Sequence, residues 1–405
     1  MFRPTSTAVI VTLAAAVALG PLSTDMYLPS LPGLTREFDT SVDRVQITLS
    51  VFLYGFAFAQ LVYGPLADRF GRKPVMLGGL LLFVLSSLGC ALATTIEQLI
   101  FFRFLQALGA CGGPVLGRTM VRDIHGPVNA ARVLSMMGSI MALAPAIAPV
   151  IGGYMLAWFE WRAVFIFLTG YALASMLLIA FKVPESLANE NRSSLKPLVI
   201  LGNFGLLLKH REYLGYTLCC SFIFSGLFAF LSGAPFVLID YFKVPAQHSG
   251  IFYALASGGF LSGTLIAQRI GCRTGINGVL KRGTVISVLA GLSMVIPALL
   301  DIHYLWLTAI TQIIYMCGVG MVMPQAMAGA LAPFAKMTGT ASSLLGFSQS
   351  LIAASIGMLV GHYHSGTPTT MAVSIAAMAI LSLASLWLLV KPGRNRAINH
   401  PPEER

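Results

Sequence analysis

The segment Gly64-Pro65-Leu66-Ala67-Asp68-Arg69-Phe70-Gly71-Arg72-Lys73-Pro74 is a short charged turn between two long apolar runs. Because glycine has no Cβ atom, Gly64 allows close contact between helices and Gly71 allows a tight turn. The basic side chains that would anchor this turn at a membrane face are Arg69, Arg72 and Lys73. The segment therefore predicts two membrane helices joined at one face of the bilayer.

Asp68 in this turn lies where a carboxylate can cap the positive N-terminus of a neighbouring helix. The candidate is a helix that starts at Thr338-Gly339-Thr340-Ala341-Ser342, because Thr and Ser are favoured at helix starts. Such a contact would latch two parts of the chain together at this face. A charged turn that only sets the topology is the alternative, and the two interpretations are compatible.

A similar segment, Ala267-Gln268-Arg269-Ile270-Gly271-Cys272-Arg273, follows 200 residues after Ala67-Asp68-Arg69-Phe70-Gly71-Arg72-Lys73. The offset corresponds to six membrane spans, which predicts two six-helix halves in the same orientation. The predicted units are an N-terminal bundle, a cytoplasmic linker, a C-terminal bundle and a cytoplasmic tail, at 1–181, 182–212, 213–390 and 391–405.

The composition is that of a polytopic membrane protein. Of the 405 residues, 56% are hydrophobic and 10% are charged, against about 25% charged in soluble domains. Since a spanning helix needs about 20 apolar residues, we predict an all-α protein with twelve transmembrane helices. The predicted spans are 8–30, 46–66, 74–94, 98–118, 133–157, 163–181, 213–237, 249–268, 279–300, 304–327, 339–361 and 369–390.

The net charge of +11 reflects topology rather than nucleic-acid binding. Twenty-one of the 26 Lys and Arg residues fall on the face that holds both termini, and one, Arg103, falls within a span. The four on the other face are Arg36, Arg44, Arg162 and Lys243. The positive-inside rule therefore predicts that both termini are cytoplasmic.

Only two ionisable residues, Asp25 and Arg103, are predicted inside the spans. Each lies about five residues from the same membrane face, so both are expected roughly 7–8 Å deep at 1.5 Å per residue. Charges in hydrocarbon are costly and mark ion or substrate pathways. An acid and a base on different helices indicate a proton-coupled carrier. A structural ion pair that orients two helices is the alternative.

Three motifs resemble those of the major facilitator superfamily. The Gly64–Pro74 turn is similar to its loop 2–3 signature, and Arg103-Phe104-Leu105-Gln106-Ala107-Leu108-Gly109 resembles the motif with the buried arginine of proton-coupled members. The segment Pro145-Ala146-Ile147-Ala148-Pro149-Val150-Ile151-Gly152-Gly153 resembles the antiporter signature, although Ala148 replaces a glycine. The resemblance implies the major facilitator fold, with helix kinking and close packing by Pro145, Pro149, Gly152 and Gly153.

The first span narrows this resemblance. Ser23-Thr24-Asp25-Met26-Tyr27-Leu28-Pro29-Ser30-Leu31-Pro32 is similar to the corresponding string of the bicyclomycin and chloramphenicol resistance subfamily, Bcr/CflA. The resemblance implies a drug/proton antiporter of the bacterial inner membrane, with Asp25 and Arg103 as the coupling pair. It also implies a small amphipathic drug as substrate. We expect no cofactor, no metal and no nucleic-acid partner, and a monomer as the functional unit.

With few charges available, the drug pocket should rest on aromatic and apolar contacts with a few amide and hydroxyl groups. For each candidate, helix packing or lipid contact is the alternative role. The candidate substrate contacts are Tyr27, Tyr54, Gln60, Gln106, Phe224, Phe228, Gln325 and Gln349.

Three other functions compete with drug efflux. A proton-coupled exporter of an endogenous metabolite or amino acid would have the same fold. A receptor would need a signalling domain, and the sequence offers none within its linker. An enzyme would need a cluster of nucleophilic or metal-binding side chains in the spans, and none is found.

Overall fold

The computed structural model describes residues 7–187, 197–300, 302 and 304–390. Within the helices, it leaves undescribed the side chains at 7, 126–132, 135, 136, 138–143, 197–201, 335 and 336. The predicted tail 391–405 and part of the predicted linker, 188–196, lie outside the described residues.

The described residues form helices joined by short connections, with no strand among them. A 3₁₀ turn at Leu28–Ser30 joins α1 to α2, a π turn at Phe236–Tyr241 follows α9, and a 3₁₀ turn at Ala332–Met337 follows α11. The α-helices are α1 (Thr7–Asp25), α2 (Leu31–Glu37), α3 (Val42–Phe70), α4 (Arg72–Ala91), α5 (Ile96–Ala110), α6 (Gly112–Trp158), α7 (Arg162–Lys182), α8 (Pro197–Lys209), α9 (Arg211–Pro235), α10 (Ala246–Leu299), α11 (Leu305–Leu331), α12 (Thr338–His362) and α13 (Thr369–Leu389).

Helix α10 supplies two spans because it folds back on itself. Gly275 has φ 65° and ψ 177°, outside the helical region. A Cβ atom on Gly320 of α11 would meet the Phe260 carbonyl, and one on Gly283 would lie 2.8 Å from Val322 of α11. Phe260 and Gly283 would be about 35 Å apart in a straight helix, yet both lie beside the same turn of α11. The chain therefore reverses near Gly275.

Helix α6 reverses in the same way. Gly117 packs against Val17 of α1, whereas Gly152 packs against the backbone of Met26. A straight helix would separate the two glycines by about 52 Å, but Val17 and Met26 are only about 14 Å apart along α1. The first part of α6 thus completes the span begun by α5, and its second part is a separate span.

Among the described residues, ten helical stretches are long and apolar enough to cross a membrane. Counting α10 twice and adding the shorter apolar helix Ala144–Trp158 gives the twelve predicted spans. The described residues therefore form an all-helical, multi-pass membrane protein, in which the two predicted six-helix halves contact each other through α3 with α12 and through α6 with α10. We call the face with the Gly71 turn the basic face and the opposite one the outer face.

The region predicted as the cytoplasmic linker, 182–212, contains an apolar helix in its second part. Residues 197–209 form α8, whose sequence includes Leu206, Leu207 and Leu208. Leu207 is fully buried while Leu206 and Leu208 are half exposed, so α8 has one packed and one open side. It packs against α9 and α12. The segment therefore adds a surface helix to the C-terminal bundle.

The helix that carries the buried arginine has a well-defined start. Thr95 caps α5 by accepting a hydrogen bond from the backbone N–H of Gln98 at 3.3 Å. The Gln98 side chain in turn accepts a hydrogen bond from the backbone N–H of Thr94 at 2.9 Å. This reciprocal capping satisfies free N–H groups at the first turn and fixes the register of α5, and hence the depth of Arg103.

Candidate functional site

Arg103 is fully buried where α1, α3 and α5 meet. Its Nη1 atom donates to the Ser23 carbonyl at 3.0 Å and its Nε atom to the Thr48 carbonyl at 3.3 Å. The guanidinium also lies over the rings of Tyr27 and Phe52, at 4.7 and 4.4 Å from the centroids. Carbonyl dipoles and aromatic faces stabilise the buried cation, and Arg103 ties three helices together.

Gln106 is part of this arginine network. Its Oε1 atom accepts from Arg103 Nη1 at 2.7 Å, and its Nε2 atom donates to the Ser87 hydroxyl at 2.8 Å. The side chain is fully buried, so both ends of the amide are engaged inside the N-terminal bundle. In this conformation Gln106 orients Arg103. The predicted contact between Gln106 and a substrate stays a prediction.

Asp25 ends α1 and is 4% exposed. Its Oδ1 atom accepts a hydrogen bond from the Thr24 hydroxyl at 2.8 Å. Within the described part of the chain, no Lys or Arg side chain lies within ion-pair distance of Asp25. The alternative of a structural ion pair with Arg103 is therefore wrong for this conformation. The two residues are linked through the backbone, because Arg103 bonds the carbonyl of Ser23.

The predicted substrate contacts fall into two groups. Tyr27 lies inside the N-terminal bundle, fully buried, with its hydroxyl 2.9 Å from that of Thr48. Tyr54 and Gln60 lie instead on α3 and contact α12 of the other half: the hydroxyls of Tyr54 and Ser355 are 3.0 Å apart.

The other contacts of this second group lie across or beside the same α3–α12 interface. Gln60 Nε2 lies 3.4 Å from the Ser350 hydroxyl of the other half. Phe228 of α9 packs against Gly357 of α12 within the C-terminal half, and Ser50 of α3 lies against the same glycine. The structure leaves Phe224, Gln325 and Gln349 half buried.

One polar contact between the halves, formed by Gln46 and Ser232, is not predicted by the sequence. Gln46 Nε2 donates to the Ser232 carbonyl at 3.2 Å, and the Ser232 hydroxyl donates to Gln46 Oε1 at 2.7 Å. Both side chains are fully buried near the outer face. Each is a single polar residue near the end of an apolar run, a pattern that equally marks a span boundary. Only their spatial pairing, across 186 residues of sequence, reveals the contact.

The antiporter-like motif packs against both halves at the outer face. Gly152 touches the backbone of Met26, the residue after Asp25, and a Cβ atom on Gly153 would lie 2.7 Å from the Ala246 carbonyl of α10. A Cβ atom on Gly250 of α10 would lie 2.6 Å from Val150. Pro145 is half buried and Pro149 buried in the same part of α6. The glycine pair thus brings α1, α6 and α10 into close contact.

The Gly71 turn has the predicted geometry but different partners. Gly71 has φ 100°, a conformation that favours glycine, and Arg69 lies over the Phe70 ring. Asp68 pairs with Arg72 at 2.5 Å instead of capping α12, so the predicted latch is not formed in this conformation. Its charge is satisfied within the turn itself.

The start of α4 is capped from the end of the N-terminal half. The Glu185 carboxylate accepts from the backbone N–H groups of Arg72 and Lys73, each at 3.1 Å. Lys73 Nζ donates to the Ala180 carbonyl at 2.8 Å, and Arg72 Nε lies 3.4 Å from Asp123. The basic cluster therefore holds α4, α6 and the segment after α7 together.

Known proteins resemble this chain over most of its length. The sequence profile of the Major Facilitator Superfamily matches residues 13–358. The chain is 33% identical to the bicyclomycin resistance protein homolog of Haemophilus influenzae, over 94% of this chain and 95% of that protein. It is 29% identical to the chloramphenicol resistance protein of Pseudomonas aeruginosa, over 89% of this chain and 85% of that protein.

The fold is also similar to that of solved transporters. The crystal structure of a D-xylose–proton symporter superposes with a TM-score of 0.73 at 16% identity, covering 95% of this chain and 98% of that one. At this identity the likeness concerns the fold alone.

Proposed function

This chain belongs to the Major Facilitator Superfamily, and on that premise we propose that it exports small amphipathic drugs in exchange for protons. Membership makes the protein a membrane transporter rather than an enzyme. Drug efflux is supported by relatives that are named for resistance to bicyclomycin and chloramphenicol. The proposed location is the bacterial inner membrane, with both termini in the cytoplasm and the single chain as the functional unit.

The observation that carries the proton-coupling proposal is the burial of Asp25 with no Lys or Arg of the described part of the chain within ion-pair distance. A carboxylate in a low-dielectric site without a counter-charge costs several kcal/mol, and protonation removes that cost. Asp25 also precedes Met26, which packs against Gly152 of α6, while the adjoining Gly153 contacts α10. The charge on Asp25 is thus placed where it can bias the contact between the halves at the outer face.

The proposed cycle uses this bias. Drug enters from the cytoplasmic side while the outer face is closed, and Asp25 releases its proton to the cytoplasm. The halves then rock, the drug leaves, and a proton from the outside reloads Asp25 so that the outer face can close again. Moving one charge through 100 mV supplies about 2.3 kcal/mol, enough for roughly a fifty-fold gradient of a neutral drug. The cycle needs no cofactor.

The proposed drug pocket lies between the halves along α3 and α12. Tyr54 and Gln60 contribute a phenol and an amide there, and Phe228 contributes an apolar face. Such a lining suits neutral amphipathic molecules, which bind by apolar contact with a few hydrogen bonds.

Asp25→Asn tests the proposal. Wild type and variant are expressed in a host that lacks its main efflux pumps, and inhibitory concentrations are measured for a panel that includes chloramphenicol and bicyclomycin. We expect wild type to raise the inhibitory concentration of one or a few drugs and Asp25→Asn to lose this effect. Asp39→Asn is the matched control, because Asp39 is exposed with φ 46°, a conformation that Asn tolerates.

The outcomes separate the competing functions. Full resistance in the Asp25→Asn variant contradicts proton coupling through Asp25. Resistance that persists when a protonophore collapses the gradient contradicts proton coupling altogether. If wild type protects against none of the drugs although it reaches the membrane, drug efflux is wrong and the metabolite exporter becomes the function to test.

A further inference from the structure

Tyr253 on α10 carries a buried hydroxyl group without a hydrogen-bond partner. The residue is 2% exposed, and its ring packs against Phe230 with the centroids 5.5 Å apart. Among the described residues, none donates to or accepts from the Tyr253 hydroxyl. An unsatisfied buried hydroxyl is costly, and each such group in a native protein asks for an explanation.

Helix packing brings Tyr253 to the level of Asp25 in the other half of the protein. Gly250, one turn before Tyr253 on α10, lies against Val150 of α6, and Gly152 of α6 lies against the backbone of Met26, the residue after Asp25. Helix α10 also contacts the 3₁₀ turn Leu28–Ser30 that follows α1. Asp25 itself has one hydrogen-bond partner, Thr24, on its own helix. A carboxylate can accept several hydrogen bonds. The Asp25 carboxylate can therefore accept a further hydrogen bond, and the Tyr253 hydroxyl is free to donate one.

The other surroundings of Asp25 leave Tyr253 as the available donor from the opposite half. Arg103 on α5 is directed to the carbonyls of Ser23 and Thr48. Helix α6 brings Gly152 and neighbouring apolar residues to this level. Among the described ionisable residues at this level, α10 contributes the Tyr253 phenol and α5 contributes the Arg103 guanidinium, which reaches α1 through the Ser23 carbonyl.

We propose that Tyr253 is a positioning residue that donates a hydrogen bond to the Asp25 carboxylate after its proton has left, while the outer face is closed. The inference rests on the proposed role of Asp25 as the proton carrier. Without such a donor, the bare carboxylate would be buried by α10 with only the Thr24 hydroxyl to stabilise it. The phenol thus allows proton release to the cytoplasm before the outer face opens.

The test follows the protonation of Asp25 directly. Wild-type protein in lipid nanodiscs is titrated by infrared spectroscopy, and the carboxylic C=O band of Asp25 is identified by subtracting the spectrum of Asp25→Asn. Because a charge-assisted hydrogen bond changes an equilibrium by roughly a factor of ten, Tyr253→Phe should move the midpoint of this band up by about one pH unit. Tyr253→Leu also lacks the hydroxyl and should move it in the same direction.

Tyr315→Phe is the matched control. Tyr315 is a fully buried tyrosine of the same half, whose hydroxyl donates to the Ile223 carbonyl at 3.0 Å. The control should leave the midpoint unchanged. An unchanged midpoint in folded Tyr253→Phe or Tyr253→Leu would overturn the inference, as would an equal shift in Tyr315→Phe.

Failure of this inference and failure of the proposed function are distinguishable. If wild type confers no drug resistance but the midpoint moves in Tyr253→Phe, the contact stands and the efflux proposal fails. If Asp25→Asn abolishes resistance but the midpoint stays in place, the efflux proposal stands and Tyr253 has no role in proton release.

Discussion

Arg103 reaches the helix of Asp25 through a backbone carbonyl, since its Nη1 atom lies 3.0 Å from the oxygen of Ser23. The arginine therefore holds α1 in place whether or not Asp25 carries a charge. An ion pair would instead tie the position of α1 to the protonation state of its only buried acid. The arrangement separates the structural role of Arg103 from the charge change proposed for Asp25.

Arg103→Lys should destabilise the N-terminal bundle. Lysine cannot reproduce the planar fork that bonds Ser23, Thr48 and Gln106 together, so at least one buried acceptor loses its partner. We expect a loss of about 2–4 kcal/mol of stability, seen as a lower melting temperature in detergent. Arg44→Lys is the control, because Arg44 is 53% exposed and forms only a surface pair with Glu97. Equal melting temperatures for the two variants would show that the Arg103 network contributes little.

Much of the fold follows from short sequence patterns. The Gly71 turn adopts positive φ as the sequence predicts, because only glycine suits that conformation well in a tight connection between apolar runs. The predicted spans 249–268 and 279–300 leave a basic connection at 269–278, and the non-helical glycine of α10, Gly275, lies within it.

The contacts of the candidate site were less predictable. Burial of Asp25 and Arg103 follows from their place in apolar runs, but the carbonyl partners of Arg103 depend on how three helices cross. The Gln46–Ser232 bonds depend on the packing of the two halves. Hydrophobic periodicity does not encode contacts between residues so distant in sequence.

Gly153→Ala should weaken closure of the outer face without unfolding either bundle. The added Cβ atom would lie 2.7 Å from the Ala246 carbonyl of the other half, so the halves must separate slightly. We expect faster labelling by a membrane-impermeant maleimide of a cysteine placed at Ser30, which is fully buried in the 3₁₀ turn after α1. Gly170→Ala, where the Cβ atom meets nothing within 4 Å, should leave labelling unchanged. Unaltered labelling in Gly153→Ala would mean that α6 and α10 can shift without opening this face.

Glu185→Gln should loosen the cap of α4. The carboxylate accepts from two backbone N–H groups at the positive end of the helix, and removing its charge weakens both bonds. We expect a loss of about 1 kcal/mol, measured as a lower melting temperature. Glu160→Gln serves as control, because Glu160 pairs with Arg162 at an exposed position, where ion pairs contribute little. If both variants melt alike, the cap has no measurable effect.

His364 should make stability fall at mildly acidic pH. Burial lowers the pKa of His364 below its usual 6.5, against a smaller opposing effect of Asp240. Below pH 6.5 the unfolded chain therefore gains a proton that the folded protein does not yet bind, so acid favours unfolding. When the pH is lowered from 8 to 5.5, the melting temperature of His364→Gln should fall less than that of wild type. His362→Gln, at the exposed end of α12, should behave like wild type, and equal acid sensitivity of all three proteins would exclude His364 as the cause.

Ser232→Ala should shift the balance between closed and open forms of the outer face. The substitution leaves Gln46 Oε1 without its donor while the Gln46 Nε2 bond to the Ser232 carbonyl can persist. Losing one buried hydrogen bond costs about 1–2 kcal/mol, so the open form should gain roughly five- to thirty-fold in population. Fluorescence energy transfer between labels on the two halves at the outer face would measure this shift.

Ser382→Ala is the control, because the buried Ser382 bonds Cys219 within one half. In a double-mutant cycle with Gln46→Leu, the effects of the two substitutions should not add. Additive effects would show that Gln46 and Ser232 act independently, and the hydrogen bonds between them would then not be what holds the outer face closed.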